Sequence, residues 1–253
     1  MYFDTHAHYD DRSFKDDRSA LLGSMKDAGV TLIMNAASSV RSARFALRLA
    51  DEYPFIYASV GVHPHDSKGM TDRTAEELEK LLNHHKALAV GEIGLDYYRD
   101  LSPRDEQRKR FREQLELARR VKKPVIIHER ESLRDTLEII SDFKDLTGVF
   151  HCFSGSWETA KIVLDMGWYI SFAGVITFKN ARRAIEVIEK MPSDRLLIET
   201  DCPYLTPEPY RGKRNSSLNM PYIAGKIAEV RKITLEEAAS LTMENGKRFY
   251  GLD

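Results

Sequence analysis

Histidines and carboxylates recur along this chain at spacings that suit metal-ion chemistry. The first such segment is Asp4-Thr5-His6-Ala7-His8. In an extended strand residues two apart face the same way, so Asp4, His6 and His8 share one side. An H-x-H pair on a strand face can bring two imidazole nitrogens to one metal ion; the alternative is a hydrogen-bonded core pair. Further along come Gly61-Val62-His63-Pro64-His65, Gly91-Glu92-Ile93-Gly94-Leu95-Asp96, Val125-Ile126-Ile127-His128, Val149-Phe150-His151 and Leu197-Ile198-Glu199-Thr200-Asp201. Each follows a short apolar run. At the end of such a run an unpaired carboxylate such as Glu92 carries a large desolvation cost, so it needs a cation or strong hydrogen-bond donors.

These residues work together only if the run ends converge, which is a question about the elements that carry them. The apolar, β-branched runs are Tyr2–Asp4, Leu32–Asn35, Ile56–Val60, Leu88–Glu92, Val125–His128, Gly148–His151, Tyr169–Phe172 and Leu196–Glu199. Short continuous runs suit strands buried on both faces. Helical stripes fill the gaps: Phe111, Leu115, Ala118 and Val121 after Ser102-Pro103; Leu78, Leu81 and Leu82 after Thr74; Leu133, Leu137 and Ile140 after Glu131. A helix is expected from Asp16 to a stop at Gly29, and a last one from Thr234 to Tyr250. Eight β/α units of about 32 residues predict an α/β fold, a single-domain (β/α)8 TIM barrel over residues 1–253. The rival is a doubly wound open sheet, but no Gly-rich phosphate loop follows Phe3-Asp4-Thr5.

In a barrel the C-terminal strand ends share the face that carries active sites. Four histidines, one glutamate and one aspartate there form a nitrogen/oxygen set large enough for two divalent ions. Two ions about 3.5–4 Å apart acidify a shared water and stabilise both the attacking and leaving oxygens of a phosphoryl displacement. A carboxylate bridges such a pair naturally, which singles out Glu92. Asp201 could hold an ion or accept the proton of the attacking water, and its position is open to both roles.

In their order and wording these motifs resemble the TatD-type metal-dependent deoxyribonucleases, within the wider amidohydrolase-like barrel hydrolases. The resemblance rests on Asp4 to His8, Gly61 to Pro64, Gly91-Glu92-Ile93-Gly94-Leu95-Asp96-Tyr97-Tyr98, Pro124 to His128, His151-Cys152-Phe153-Ser154-Gly155, Glu199-Thr200-Asp201-Cys202-Pro203-Tyr204-Leu205 and Arg211-Gly212-Lys213-Arg214-Asn215. It covers essentially the whole chain. It implies two divalent cations on His6, His8, Glu92, His128, His151 and Asp201, with Glu92 bridging, His6, His8 and Asp201 completing one site, and His128 and His151 completing the other. Mg2+ is the implied ion, with Mn2+, Zn2+ or Ni2+ able to stand in its place. The implied activity is hydrolysis of DNA phosphodiesters in a 3′→5′ exonuclease mode. The one departure is Ser132, where the family often has Ala; it touches a helix start and no ligand.

Other residues carry competing readings. His63 and Glu199 are read as neighbours of the metals or ligands of a third ion, and Asp4 as a hydrogen-bonding neighbour. His65 could meet a substrate phosphate or bond within its loop. The loop from Pro203 to Pro221 brings Arg211, Lys213 and Arg214, which suit phosphate, although a solvated charged loop fits as well. Phe153, Trp157, Tyr97, Tyr98 and Tyr204 follow strand ends; Phe153 is the first candidate for stacking on a base, with packing the alternative. Cys152 and Cys202 read as buried small hydrophobes.

Composition narrows the classes. The 253 residues carry 38 Lys+Arg against 39 Asp+Glu, a net charge of −1, and two cysteines. This excludes a heavily basic duplex binder and a disulfide framework. No apolar run reaches membrane-spanning length, and no secretory leader is expected at Met1-Tyr2-Phe3-Asp4, so a cytoplasmic enzyme without an obligatory protein partner, monomeric, is the expectation. Its predicted partner is DNA, as a single strand or duplex end. The alternative is a barrel hydrolase of a small-molecule amide, lactone or phosphoester. Many of those bridge their metals with a carboxylated lysine, and no run here ends in lysine.

Overall fold

The computed structural model describes residues 1–252. Its strands are β1 (Tyr2–Ala7), β2 (Val30–Asn35), β3 (Ile56–Val60), β4 (Ala87–Asp96), β5 (Val125–Arg130), β6 (Gly148–Phe150), β7 (Tyr169–Phe172) and β8 (Leu196–Ile198). They form one sheet in sequence order. The helices are α1 (Arg18–Gly23), α2 (Val40–Glu52), α3 (Asp72–Leu82), α4 (Arg104–Val121), α5 (Leu133–Ile140), α6 (Trp157–Asp165), α7 (Arg182–Lys190), α8 (Met220–Arg231) and α9 (Leu235–Tyr250). Parallel pairing with a helix after each strand gives the expected (β/α)8 barrel.

The chain divides into two compact units, Ala36–His151 and Met1–Asn35 with Cys152–Asp253. In the first, β3 to β6 are nearly all buried, with Val90, Ile93, Val125, Ile126 and Ile127 fully so. This double-sided burial is why the strands read as unbroken apolar runs. α4 covers them with Phe111, Leu115 and Ala118. The same buried face also presents Gln107 and Gln114. Gln114 accepts from Val62 N–H at 2.7 Å and donates to Val62 O at 3.1 Å, where β3 has already ended. Gln107 does the same for Asp96, at 2.9 and 3.2 Å. Two amide side chains thus replace ladder bonds that the backbone loses at the strand ends.

In the second unit, β1 lies beside β8. Thr5 Oγ1 donates to Ile198 O at 3.0 Å, and Ala7 bridges Cys202 in parallel. α9 starts at Thr234, where a helix start is expected, through a capping box with Glu237, and ends at Gly251 with φ 66°. α1 is shorter than expected. From Ser24 several N–H groups bond three residues back (Ser24 to Leu21, Met25 to Leu22, Gly29 to Lys26), so the helix tightens into turns before Gly29. α8, with Pro221 in its first turn, is a helix that the expected elements do not include, although Met220, Ile223, Ala224, Ile227 and Ala228 are buried at helical spacing. No helix of the described residues is long and apolar enough to cross a membrane.

Replacing Gln114 by leucine keeps the volume and removes both partners of Val62. The expected loss is about 2–3 kcal/mol in urea unfolding with an unchanged slope; a loss below about 0.5 kcal/mol would show that Gln114 is not what holds this strand end.

Candidate metal centre

In the unit Ala36–His151 the site is built around β4. Gly91 makes the close approach possible: a Cβ there would lie 2.7 Å from that of Ile126 on β5. Gly94, at φ 142°, adopts a conformation that L side chains rarely enter. Between them Glu92, 3 % exposed, places Oε1 2.8 Å from His128 Nδ1 and 2.8 Å from His151 Nε2, with His63 Nε2 at 3.5 Å. The two imidazole nitrogens are 3.4 Å apart. Burial alone would push the Glu92 carboxyl up, yet the charges of His151 and His63 and the hydrogen bonds from His128 and His151 hold it well below the usual range.

The strand continues past Glu92 to Asp96, which the sequence reading quoted but assigned no role. Asp96 Oδ2 lies 3.1 Å from His128 Nε2 and 2.8 Å from His65 Nε2, while Oδ1 accepts from Arg99 N–H at 2.8 Å. Burial opposes its ionisation, but the bonds from His128, Arg99 and His65 win and lower its pKa. The available signal was parity, since Glu92, Gly94 and Asp96 alternate along one strand. Burial likewise opposes a charged His128, and the bonds to Asp96 and Glu92 outweigh it, so its pKa is raised. For His63 burial dominates and lowers the pKa to about 4.

In the other unit β1 delivers His6 and, just beyond its end, His8, with their Nε2 atoms 3.1 Å apart. Asp201 Oδ1 is 3.3 Å from His8 Nε2 and 3.8 Å from His6 Nε2. Asp201 is placed by its own N–H donating to His6 O at 2.9 Å, and by a φ of 53°. Asp4 points into the same unit, fully buried, and accepts from Thr200 N–H at 2.8 Å, Thr200 Oγ1 at 2.5 Å and Ser217 Oγ at 2.6 Å. Desolvation outweighs these donors and raises its pKa to about 6. Glu199, also buried, accepts from Cys152 N–H at 2.7 Å. Neither Cys152 nor Cys202 is in a disulfide, and burial pushes the Cys202 thiol up.

Each unit therefore gathers imidazole nitrogens and a carboxylate oxygen at separations of 2.8–3.8 Å. Donors about 2.0–2.2 Å from one divalent ion lie about 3 Å or more from each other. The donor sets fit such an ion.

The remaining candidates separate. Phe153 is 5 % exposed and sits edge-on to Phe172 with centroids 6.3 Å apart, so it forms a wall rather than the expected stacking surface. Arg214 is spoken for by Asp17, at 2.9 Å, and by Ser13 O, at 2.6 Å. Arg211 lies over Phe178 at 4.3 Å, and Lys213 over Tyr210 at 5.3 Å. Tyr97 is engaged by Asp135 at 2.6 Å, whereas Tyr98 is 56 % exposed under the Arg130 guanidinium, 3.9 Å from its ring centre.

A (β/α)8 barrel with buried histidine–carboxylate groups is the architecture of a metal-dependent barrel hydrolase. The comparisons give the particular family. The model of the family described as TatD related DNase matches residues 3–251. A metal-dependent hydrolase of Bacillus subtilis, YabD, is 42 % identical, over 100 % of both chains. The TatD metal-dependent hydrolase of Mycobacterium tuberculosis is 36 % identical, over 98 % of this chain and 97 % of its own. Among solved structures, the TatD homologue YjjV of Escherichia coli K12 superposes with a TM-score of 0.93 at 31 % identity, covering 100 % of this chain and 98 % of its own. The chain belongs to the TatD family of metal-dependent hydrolases.

Cation binding should be linked to protons. His128 is protonated to a higher pH than an ordinary imidazole, and a ligand nitrogen must lose its proton. Titration of chelator-treated protein with Mn2+ or Zn2+ is expected to release protons and to tighten as pH rises through and above the ordinary imidazole range. Affinity and proton count that do not change across that range would contradict this electrostatic account.

Proposed function

We propose that this chain is a divalent-cation-dependent deoxyribonuclease that hydrolyses DNA phosphodiester bonds from a single-stranded or frayed end, in the 3′→5′ direction. The observation that carries the proposal is the presence of a converging histidine–carboxylate donor set in each unit. His6, His8 and Asp201 would hold one cation, and Glu92, His128 and His151 another. Bound cations, with Mg2+ the natural choice, supply an acidified water and positive charge for the phosphate oxygens. The other work falls to the chain. Glu92, with 4 % of its side chain exposed, is sealed from solvent and keeps its negative charge among imidazoles. Asp201, at 14 %, is the carboxylate open to water and takes the proton of the attacking molecule. Asp96 orients His128, and Asp4 ties Thr200, the residue before Asp201, to β1.

DNA as the substrate is supported by the family's description and by the surface beside β4 and β5. Tyr98 offers an exposed ring for a base, and Arg130 a guanidinium for a phosphate. Arg211 and Lys213 supply further positive charge at the loop after β8. Two cysteines outside any disulfide agree with a reducing cytoplasm, and either donor set is drawn from this chain alone.

Chelator-treated protein should leave labelled single-stranded DNA intact, and Mg2+ or Mn2+ should restore cleavage with loss of the 3′ label first. Turnover of an amide, lactone or phosphotriester panel without DNA cleavage would replace this reading by that of a small-molecule hydrolase. Asp201→Asn should lower kcat by about 10²–10⁴-fold, and full activity in that variant would remove Asp201 from the proton transfer. Tyr98→Ala should raise KM for single strands about tenfold with kcat kept; an unchanged KM would take the strand away from this surface.

A further inference from the structure

The turn after β3 decides what His63 can do. His63 Nδ1 lies 3.1 Å from the backbone N–H of His65, which donates to it. An amide N–H can only donate, so Nδ1 must keep its lone pair on that side and carry no hydrogen. The turn is tied down at several points. His63 N–H donates to Ser38 O and Asp66 N–H to His63 O, each at 2.9 Å, and Ser102 Oγ donates to His65 O at 2.8 Å. With Nδ1 closed, the imidazole hydrogen sits on Nε2, which lies 3.5 Å from Glu92 Oε1.

Proximity alone would count His63 as a ligand, because its donor atom, one from Glu92 and one from His128 lie within 4.8 Å of one another. A cation on Nε2 would need the lone pair there and would move the hydrogen to Nδ1. Two hydrogens, that one and the His65 N–H, would then face each other across 3.1 Å. His128 has the opposite polarity. Its outer nitrogen, Nε2, faces Asp96 Oδ2 at 3.1 Å, an acceptor that holds a hydrogen there, so Nδ1, beside Glu92 Oε1, is the nitrogen that would give up its hydrogen and offer a lone pair when a cation binds.

We propose that His63 is a positioning residue and not a cation ligand: it donates from Nε2 to Glu92 and so fixes the orientation of that carboxylate, while Asp96 sets the neighbouring His128 as the ligand. The proposal rests on the cation sites of the preceding section but not on DNA as substrate.

Long-range 1H–15N spectra of the full-length, chelator-treated protein test it directly. The expected result is a bare Nδ1 and a hydrogen on Nε2 of His63; a hydrogen on Nδ1 would overturn the proposal. Loading with 113Cd2+ should give cadmium–nitrogen coupling at His128 Nδ1 and none at His63, and coupling at His63 Nε2 would overturn it too. Substitution gives a second readout. The glutamine of His63→Gln can accept from His65 and donate to Glu92, so Cd2+ affinity should fall less than about threefold, against about tenfold or more for His63→Leu. A loss in His63→Gln as large as that in His128→Gln would make His63 a ligand. Complete failure to bind cadmium would defeat the cation-site reading, while the imidazole tautomer would still decide the role of His63.

Discussion

A carboxylate almost without access to water governs the unit Ala36–His151. Moving an ionised carboxylate into such surroundings costs several kcal/mol unless opposite charge and hydrogen bonds offset it. Glu92 meets that demand with three imidazoles, and much of the local architecture serves to bring them there. β4 and β5 must approach closely at Gly91, because a side chain at that position would push β4 from Ile126 and carry Glu92 with it. The backbone around the carboxylate must also be saturated. Ser59 Oγ donates to Gly91 O at 2.6 Å, and Glu92 N–H donates to Ala37 O at 2.7 Å. With the glutamines of α4 holding Val62 and Asp96, the residues flanking His63 and His128 have little freedom to drift.

Asp4 in the other unit is buried as deeply and ends in the opposite condition. Its donors are hydroxyls and an amide, which bring no positive charge, and burial, with a smaller push from the Glu199 carboxylate, raises its pKa to about 6. This difference separates the roles of two buried acids. Glu92 sits among imidazoles, groups that can give up a proton to hold a cation. Asp4 is a fastening: through Thr200 and Ser217 it ties both ends of the long loop after β8 to β1, and Asn215 adds bonds to Thr200 O at 2.9 Å and Tyr204 O at 2.7 Å. The left-handed turn at Asp201 is held between these fixed points.

The sequence was most legible where one rule acted alone. Buried strands read as apolar runs, and Thr234 marked the start of α9, because burial and capping are local demands. Same-side parity in β1 was enough to group Asp4, His6 and His8. Legibility failed where polar residues lie on apolar faces. Gln107 and Gln114 occupy the α4 stripe at the proper spacing, but a reading that counts apolar residues passes over them, and their partners are far away in sequence. Asp96 was missed because the apolar run was closed at Glu92, whereas β4 continues to Asp96. Phe153 shows the converse error: adjacency to a motif suggested contact with a substrate, and only tertiary packing against Phe172 reveals a wall.

The cations of the loop after β8 show how far charge alone can mislead. Arg211, Lys213 and Arg214 stand together in the sequence and would be counted as one basic patch. Arg214 is bound by the Asp17 carboxylate and rests 4.8 Å from the Phe14 ring, so its charge is largely offset and its geometry fixed. Arg211 instead lies on an aromatic face, which leaves the edge of the guanidinium turned to other partners. In a chain of net charge −1 the overall field offers no attraction to a polyanion, so the proposed substrate would have to be drawn by such short-range groups. Arg130 on Tyr98 is the same arrangement in the other unit, where an exposed ring accompanies the charge. A stacked arginine beside an exposed aromatic ring is the kind of surface that a ligand offering both a phosphate and a base would need, and the proposed DNA substrate rests on it in part.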